Sequence, residues 1–204
     1  MKRLSLVVKV KRKYQVTTDS GHALPVAENV LNRAFSPGRP NQAWVGDITY
    51  VWTVQGWLYL AVVMDLYSRR IVGWCMDKTM TEALVIRALM MAVNLRQPGV
   101  GLIHHSDRGS QYAGEAYQTL LSQHGMVPSM SRKGNCWDNA VMERFFKSYK
   151  GEWMGDQIYG TRETAITDMQ AYMKCYDGIR LHSTLGYQTP MEYENGLNKV
   201  SGLS

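Results

Sequence analysis

The sequence predicts an α/β fold, a mixed five-stranded sheet flanked by helices, and three observations carry that prediction. Residues 43–77 read AWVGDITYVWTVQGWLYLAVVMDLYSRRIVGWCMD, three aromatic and β-branched runs punctuated by Gln55-Gly56 and Ser68-Arg69-Arg70, the signature of three consecutive antiparallel strands. Two shorter apolar runs, GLIHHSD and MVPSMS, enclose a helical pattern. A strand, helix and strand of that length imply parallel pairing through a crossover. The composition, 204 residues with 45% apolar, 20% charged, 18 Gly and 6 Pro, fits one globular domain large enough to bury a core.

Taken in order, residues 1–40 show little periodicity and end in SPGRPN, a Pro/Gly cluster that reads as a linker. They are expected to form a basic arm ahead of a body spanning 41–204 that includes a C-terminal helical extension. After the three strands, TEALVIRALMMAVNLRQPG is a helix with Thr81 as N-cap and a stop before Pro98-Gly99. DRGSQY reads as a loop, AGEAYQTLLSQHG as a second helix, and SRKGNCWDNAVMERFFKSYKGEW as a Gly/Asn turn leading into a helix from about Trp137. TRETAITDMQAYMKCYDGIRLH predicts another helix and STLGYQTPMEYENGL a short tail segment.

The net charge of +6 is localised. Lys2, Arg3, Lys9, Lys11, Arg12, Lys13, Arg33 and Arg39 face only Asp19 and Glu28 in the first 40 residues, and the remainder balances 15 basic against 15 acidic residues. A basic arm suits a polyanion, whose phosphates reward Lys and Arg through counterion release, and equally suits a solubilising tail. Cys75, Cys136 and Cys175 are odd in number and widely spaced, against a disulfide framework or zinc ribbon and in favour of a reducing cytoplasm. Lys9 interrupts the opening apolar patch too early for a signal peptide, and no run of about 18 apolar residues exists to span a membrane.

Three carboxylates stand where a ligand is expected: Asp47 inside the first strand, Asp107 at the C-terminal end of the fourth, and Glu143 on the helix after the fifth. A carboxylate in an apolar strand is costly to bury unless it is paired or binds a cation, and ligands gather at the C-terminal ends of parallel strands. An all-oxygen donor set points to Mg²⁺ or Mn²⁺ rather than zinc. Two such ions on three carboxylates can activate an attacking oxygen and stabilise a leaving one at phosphorus. Spacing alone does not decide this, since Asp156 and Glu192 have the same separation as Asp107 and Glu143.

Local context does. WVGDITY at 44–50, HHSDRGSQY at 104–112, GNCWDNAVMERFFKSYK at 134–150 and YDGIRLHSTLGYQTPMEY at 176–193 together resemble the second-reading-frame transposases of the IS-three family. That family is similar to retroviral integrases and falls in the ribonuclease H-like superfamily of Asp-Asp-Glu polynucleotidyl transferases. The resemblance implies metal-dependent DNA strand cleavage and strand transfer, with Asp47, Asp107 and Glu143 as the metal-binding catalytic carboxylates and Lys150 as a basic DNA contact. It also implies DNA ends and target as partners, together with a first-reading-frame helix-turn-helix product or a full-length fusion. A homo-oligomer on DNA and a cytoplasmic, nucleoid-associated location follow from the same likeness.

On an ideal helix Glu143, Lys147 and Lys150 fall within roughly 60° of one another, which sets both lysines beside the carboxylate to grip phosphates, an ordinary Glu/Lys ion pair being the alternative. Arg132 and Lys133 form a basic turn expected to touch DNA. Asn139, one turn before Glu143, is expected to contact DNA or orient the site. His104 and His105 are neighbours on a strand and point to opposite faces, so both cannot hold one ion. Trp137 could stack a base, although a Trp at a helix start more often packs. Arg180, His182 and Ser183 match the family's tail, where a structural role is expected, and Asp177 stands where many members carry Asn. The family's helical region ahead of the core is represented only by residues 1–40, so the chain reads as N-terminally truncated. A catalytically silent remnant that binds DNA or full-length transposase is the competing expectation; a glycosidase using Asp107 and Glu143 or a ribonuclease on the same fold are more distant ones.

Overall fold

The computed structural model describes residues 21–200. The basic cluster Lys2, Arg3, Lys9, Lys11, Arg12 and Lys13 lies outside the described residues.

Five strands form one sheet: β1 (Ala43–Thr53), β2 (Gly56–Asp65), β3 (Ile71–Asp77), β4 (Ile103–Ser106) and β5 (Val127–Met130), in the order β3-β2-β1-β4-β5. The first three are antiparallel, with Trp44 opposite Asp65 and Thr53 opposite Gly56. β4 pairs in parallel with β1 through Ala43–Val45 and with β5 along its whole length. The sheet is the ribonuclease H-like arrangement expected from the sequence. The hairpin closes tightly because Gly56 adopts φ +100°, open to glycine at little cost, while the Thr53 hydroxyl donates to the Gly56 carbonyl at 2.7 Å.

Alternation along β1 and β2 builds two cores, one on each face of the sheet. Val45, Val51, Leu58, Leu60, Val62 and Met64 pack with Phe145, Tyr149, Tyr172 and Tyr176 on one side. Trp44, Ala61 and Val63 pack with Leu84, Leu89, Tyr117 and Leu121 on the other. The second side is covered by α1 (Glu82–Arg96) and α3 (Glu115–Gln123), the first by α4 (Ala140–Ser148) and α5 (Arg162–Gly178). Close approach of α1 to the sheet requires Gly73, where a Cβ would lie 2.2 Å from the Ala88 carbonyl oxygen.

Helix starts are secured by a local cap at α5 and by a tertiary contact at α3. Thr81 occupies the N-cap of α1 in an extended conformation, but its side chain makes no capping bond. The adjacent Glu82 instead reaches α3, accepting from the Tyr117 amide at 2.9 Å, where a carboxylate suits the positive end of a helix. Thr161 and Thr164 form a reciprocal capping box on α5. Two expectations need correction. The stretch read as the loop DRGSQY contains a four-residue helix, α2 (Ser110–Ala113), and the tail contains α6 (Pro190–Val200). Glu194 on α6 ties the tail to the body: it accepts from Ser68 at 2.8 Å, from Arg70 at 3.3 Å and from Nη1 and Nη2 of Arg96.

The described part of the basic segment packs on the body. Leu31 is buried and its amide donates to Ser129 at 3.0 Å, and His22 bonds the Arg108 carbonyl. Cys75 and Cys175 are free thiols. Among the described residues, no helix is long and apolar enough to cross a membrane.

Candidate functional site

Asp47 sits midway along β1 on the face covered by α4 and α5, sharing its parity with Val45 and Val51. One carboxylate oxygen accepts from the Ile48 amide at 2.7 Å and the other from Asn139 Nδ2 at 3.0 Å. Asp107 follows the last residue of β4 and accepts from the Gly109 amide at 2.9 Å. Glu143 lies in the first turn of α4 with its side chain exposed. The topology thus delivers the two aspartates on neighbouring parallel strands, with the glutamate arriving on a helix packed across them.

Electrostatics shows that the three share a field. Burial raises the Asp47 carboxyl well above its ordinary range, and the charges of Asp107 and then Glu143 raise it further, against the Ile48 amide and Lys150, which lower it. Burial also raises Glu143. Mutual repulsion among acids in a desolvated site is what a divalent cation relieves. Asn139 adds a second pointer: its Oδ1 is buried with no hydrogen-bond partner among the described residues, on the same amide that holds Asp47. An all-oxygen donor set with an orphaned acceptor beside it fits a hard, hydrated cation. Among the described residues no three His, Cys, Asp or Glu side chains converge closely enough to hold one ion.

The remaining expected contacts divide. Lys147 is exposed on α4, and Lys133 is exposed in the loop ahead of it. Lys150 is not on the ideal helical continuation, because the chain turns π-helical over Tyr149–Met154. Its ammonium lies 4.7 Å from the centre of the Tyr50 ring, and burial lowers its pKa against the opposing pull of Asp47. Arg132 is committed elsewhere: its Nε and Nη2 donate to Asp138 at 2.9 and 2.8 Å. Asn139 is buried, and its amide donates to Asp47. Trp137 does not pack: it is 68% exposed.

Asp138 is the residue that sequence reasoning missed. It is buried, and it accepts from Arg132, from Arg33 Nε at 2.9 Å and from Asn29 Nδ2 at 2.9 Å. The Arg132 guanidinium and amide hold it well below the usual carboxylate range. The clamp ties the loop before α4 to residues 29–33, and Arg33 further bonds Asn135. Asn29 and Arg33 lie more than a hundred residues from Asp138, so no local pattern could reveal that part of the clamp. Tyr112 was also missed; it is buried in the core with Trp44 and Tyr117, and burial followed by the charges of Tyr117, Asp47 and Asp107 raises its hydroxyl.

His104 and His105 do point to opposite faces. His104 bonds the Tyr117 hydroxyl at 3.2 Å and His105 bonds Ser129 and Ser131 at 2.9 and 3.2 Å. Burial lowers them to about 3 and about 4, so both are neutral structural groups at physiological pH. Arg180 pairs with Glu152, and His182 packs on Tyr176 with ring centres 4.6 Å apart, matching the structural role expected of the tail.

Comparison with known proteins agrees with this architecture. Integrase core domain models match residues 37–136 and 124–190. The chain is 45% identical over 201 residues to the insertion element IS600 uncharacterized 31 kDa protein of Shigella sonnei, covering 98% of this chain and 74% of that protein. It is 43% identical over 196 residues to the transposase InsF for insertion sequence IS3A of Escherichia coli (strain K12), covering 96% of this chain and 68% of the relative. In fold it is similar to a chain of the simian T-cell lymphotropic virus intasome (TM-score 0.65, 18% identity, 87% of this chain and 60% of that one). The HTLV-2 integrase catalytic core domain in complex with magnesium is similar too (TM-score 0.59, 17% identity, 77% of this chain and 98% of that one). A five-stranded integrase-type sheet, aspartates on adjacent parallel strands and relatives at this identity over nearly the whole chain establish that this protein belongs to the IS3 family of transposases, whose catalytic core it carries.

Proposed function

We propose that Asp47, Asp107 and Glu143 are the catalytic carboxylates of this core and that they hold divalent metal, Mg²⁺ or Mn²⁺, as a pair of ions. The observation that carries the reading is the Coulombic coupling of Asp47 to both other acids in a desolvated strand. When bound, such cations lower the barrier to displacement at phosphorus by stabilising charge on the attacking and leaving oxygens.

The chain's own residues do the rest. Asn139 fixes the rotamer of Asp47 through its amide and presents a free acceptor, Oδ1, toward water or a hydroxyl in the site. Lys147 and Lys133, both exposed, suit the phosphates flanking the scissile bond, and Lys150 bridges the site to Tyr50. In strand transfer a DNA 3′-hydroxyl gives up its proton to water and attacks the target phosphorus, a new P–O bond forms, the old P–O3′ bond breaks, and the departing 3′-oxyanion takes a proton from water. DNA ends and target are the substrates, and pairing two ends calls for more than one copy of the chain together with a helix-turn-helix partner or fusion that reads the element ends.

The test is joining of a labelled oligonucleotide carrying a free 3′-hydroxyl to plasmid DNA in the presence of Mn²⁺. Joined product from the wild type and none from Asp47→Asn, Asp107→Asn or Glu143→Gln supports the assignment. Wild-type yield from any of the three overturns it.

A further inference from the structure

β1 outruns its parallel partner. β4 pairs with Ala43–Val45 alone, so from Gly46 onward that edge has no neighbouring strand among the described residues until Thr53 meets Tyr159. On the face opposite Asp47, the hairpin presents Tyr50 and Trp52 from β1 across from Tyr59 and Trp57 of β2. Trp52 is 51% exposed and Trp57 43%, unusual for a side chain that is normally well covered. The rings form a ladder, with centres 4.7 Å apart for Trp52 and Trp57 and 5.0 Å for Tyr50 and Trp57, both edge to face. Cations frame it: Lys150 lies over Tyr50, and Arg162, at the start of α5, donates to the Trp57 carbonyl at 3.0 Å.

We propose that this face is a stacking platform for unpaired nucleotides of the DNA strand that runs through the carboxylate site. The inference rests on the proposed function and adds the form of DNA the protein takes next to the reacting phosphate. Aromatic rings interleaved with cations are the chemistry that binds single strands irrespective of sequence, since every base has a π-face. The platform is continuous with the site through Lys150, which contacts Tyr50 and feels the charge of Asp47. Tyr50 and Trp52 lie three and five residues beyond Asp47, about 10 and 17 Å along an extended strand, within reach of the first few nucleotides past the scissile bond. The acid opposite Tyr59, Asp77, is ion-paired to Arg87, which offsets the negative charge it would turn toward a polyanion.

The test measures binding of the whole chain to an oligothymidylate and to a blunt duplex in EDTA, by tryptophan quenching and by anisotropy. The inference predicts that Trp52→Ala with Trp57→Ala weakens the single strand about 10-fold or more and leaves the duplex within about twofold. Trp52→Phe with Trp57→Phe restores most of the loss. Because the alanine pair can unsettle the hairpin, the wild type is also photocrosslinked to an oligonucleotide bearing 5-iododeoxyuridine. Crosslinks at Tyr50, Trp52 or Trp57 support the platform, and crosslinks confined to other residues overturn it. Equal weakening of single strand and duplex, or no weakening, also overturns it. A change of oligomeric state by light scattering with DNA binding intact would assign the face to a second copy of the chain instead. Binding without metal separates this outcome from failure of the carboxylate assignment, which shows only in cleavage and joining.

Discussion

Asn139 donates to Asp47 across 3.0 Å, joining the turn before the glutamate-bearing helix to the central strand of the sheet. Through this bond the position of α4 is registered against the aspartate that the other acids bias. Asn139→Ala is expected to lower the cleavage rate about 10- to 100-fold, as loss of a group that orients a metal ligand does. It also removes a hydrogen bond to the charged carboxylate, so the rise of activity with pH moves upward. A pH–rate profile separates this from simple unfolding, which would lower the plateau without moving the rise.

Asp47 ionises against burial and like charge. A carboxyl whose folded pKa is raised contributes stability below its unfolded pKa, and that contribution disappears as pH rises through the folded value. At neutral pH the charged form therefore costs stability. Asp47→Asn should melt a few degrees higher than the wild type at pH 7 in EDTA while losing cleavage, and Mg²⁺ should narrow the gap by stabilising only the wild type. Thermal melts with and without metal check this.

Arg33 and Asp138 clamp the loop that precedes α4. Arg33→Ala should quicken limited proteolysis at Lys133 by about tenfold, the effect of losing one charge-assisted bond on a local opening. Asp138→Asn should do the same, since it cannot satisfy two guanidinium groups at once. Cleavage sites mapped by mass spectrometry give the answer.

His104 and His105 are lowered by burial to about 3 and about 4. The unfolded chain binds more protons below pH 6.5, so stability present above that value is lost progressively as pH falls toward 4. His105→Asn should flatten this slope in denaturant titrations at pH 6.5, 5.5 and 4.5, and should leave the metal dependence of cleavage in place.

Much of the site was legible because its parts carry local signals. The aspartates stand within or at the end of β-branched runs, and the alternation that sorts His104 from His105 follows from strand geometry alone. The pairing of Arg132 with Asp138 was not legible, since a basic turn looks the same whether its guanidinium meets solvent or a buried acid, and the clamp's other arginine, Arg33, lies far back in the chain. Lys150 was placed by extending 100° per residue past Ser148, where the backbone loosens into a π-helical turn. The expected C-terminal helical extension was not traced into the tail segment because its anchor, Glu194 on Arg96 and Ser68, is a tertiary contact. The exposure of Trp52 and Trp57 was not legible, because a strand pattern alone does not say which face is covered.

The most direct test of the central claim, that the acids around Asp47 form a metal-dependent phosphodiester-cleaving site, is nicking of supercoiled plasmid by the purified chain with Mg²⁺ or Mn²⁺, beside Glu143→Gln. The account predicts open circles from the wild type that require the metal and vanish in the variant. Nicking that persists in EDTA, or that Glu143→Gln performs at the wild-type rate, would contradict it.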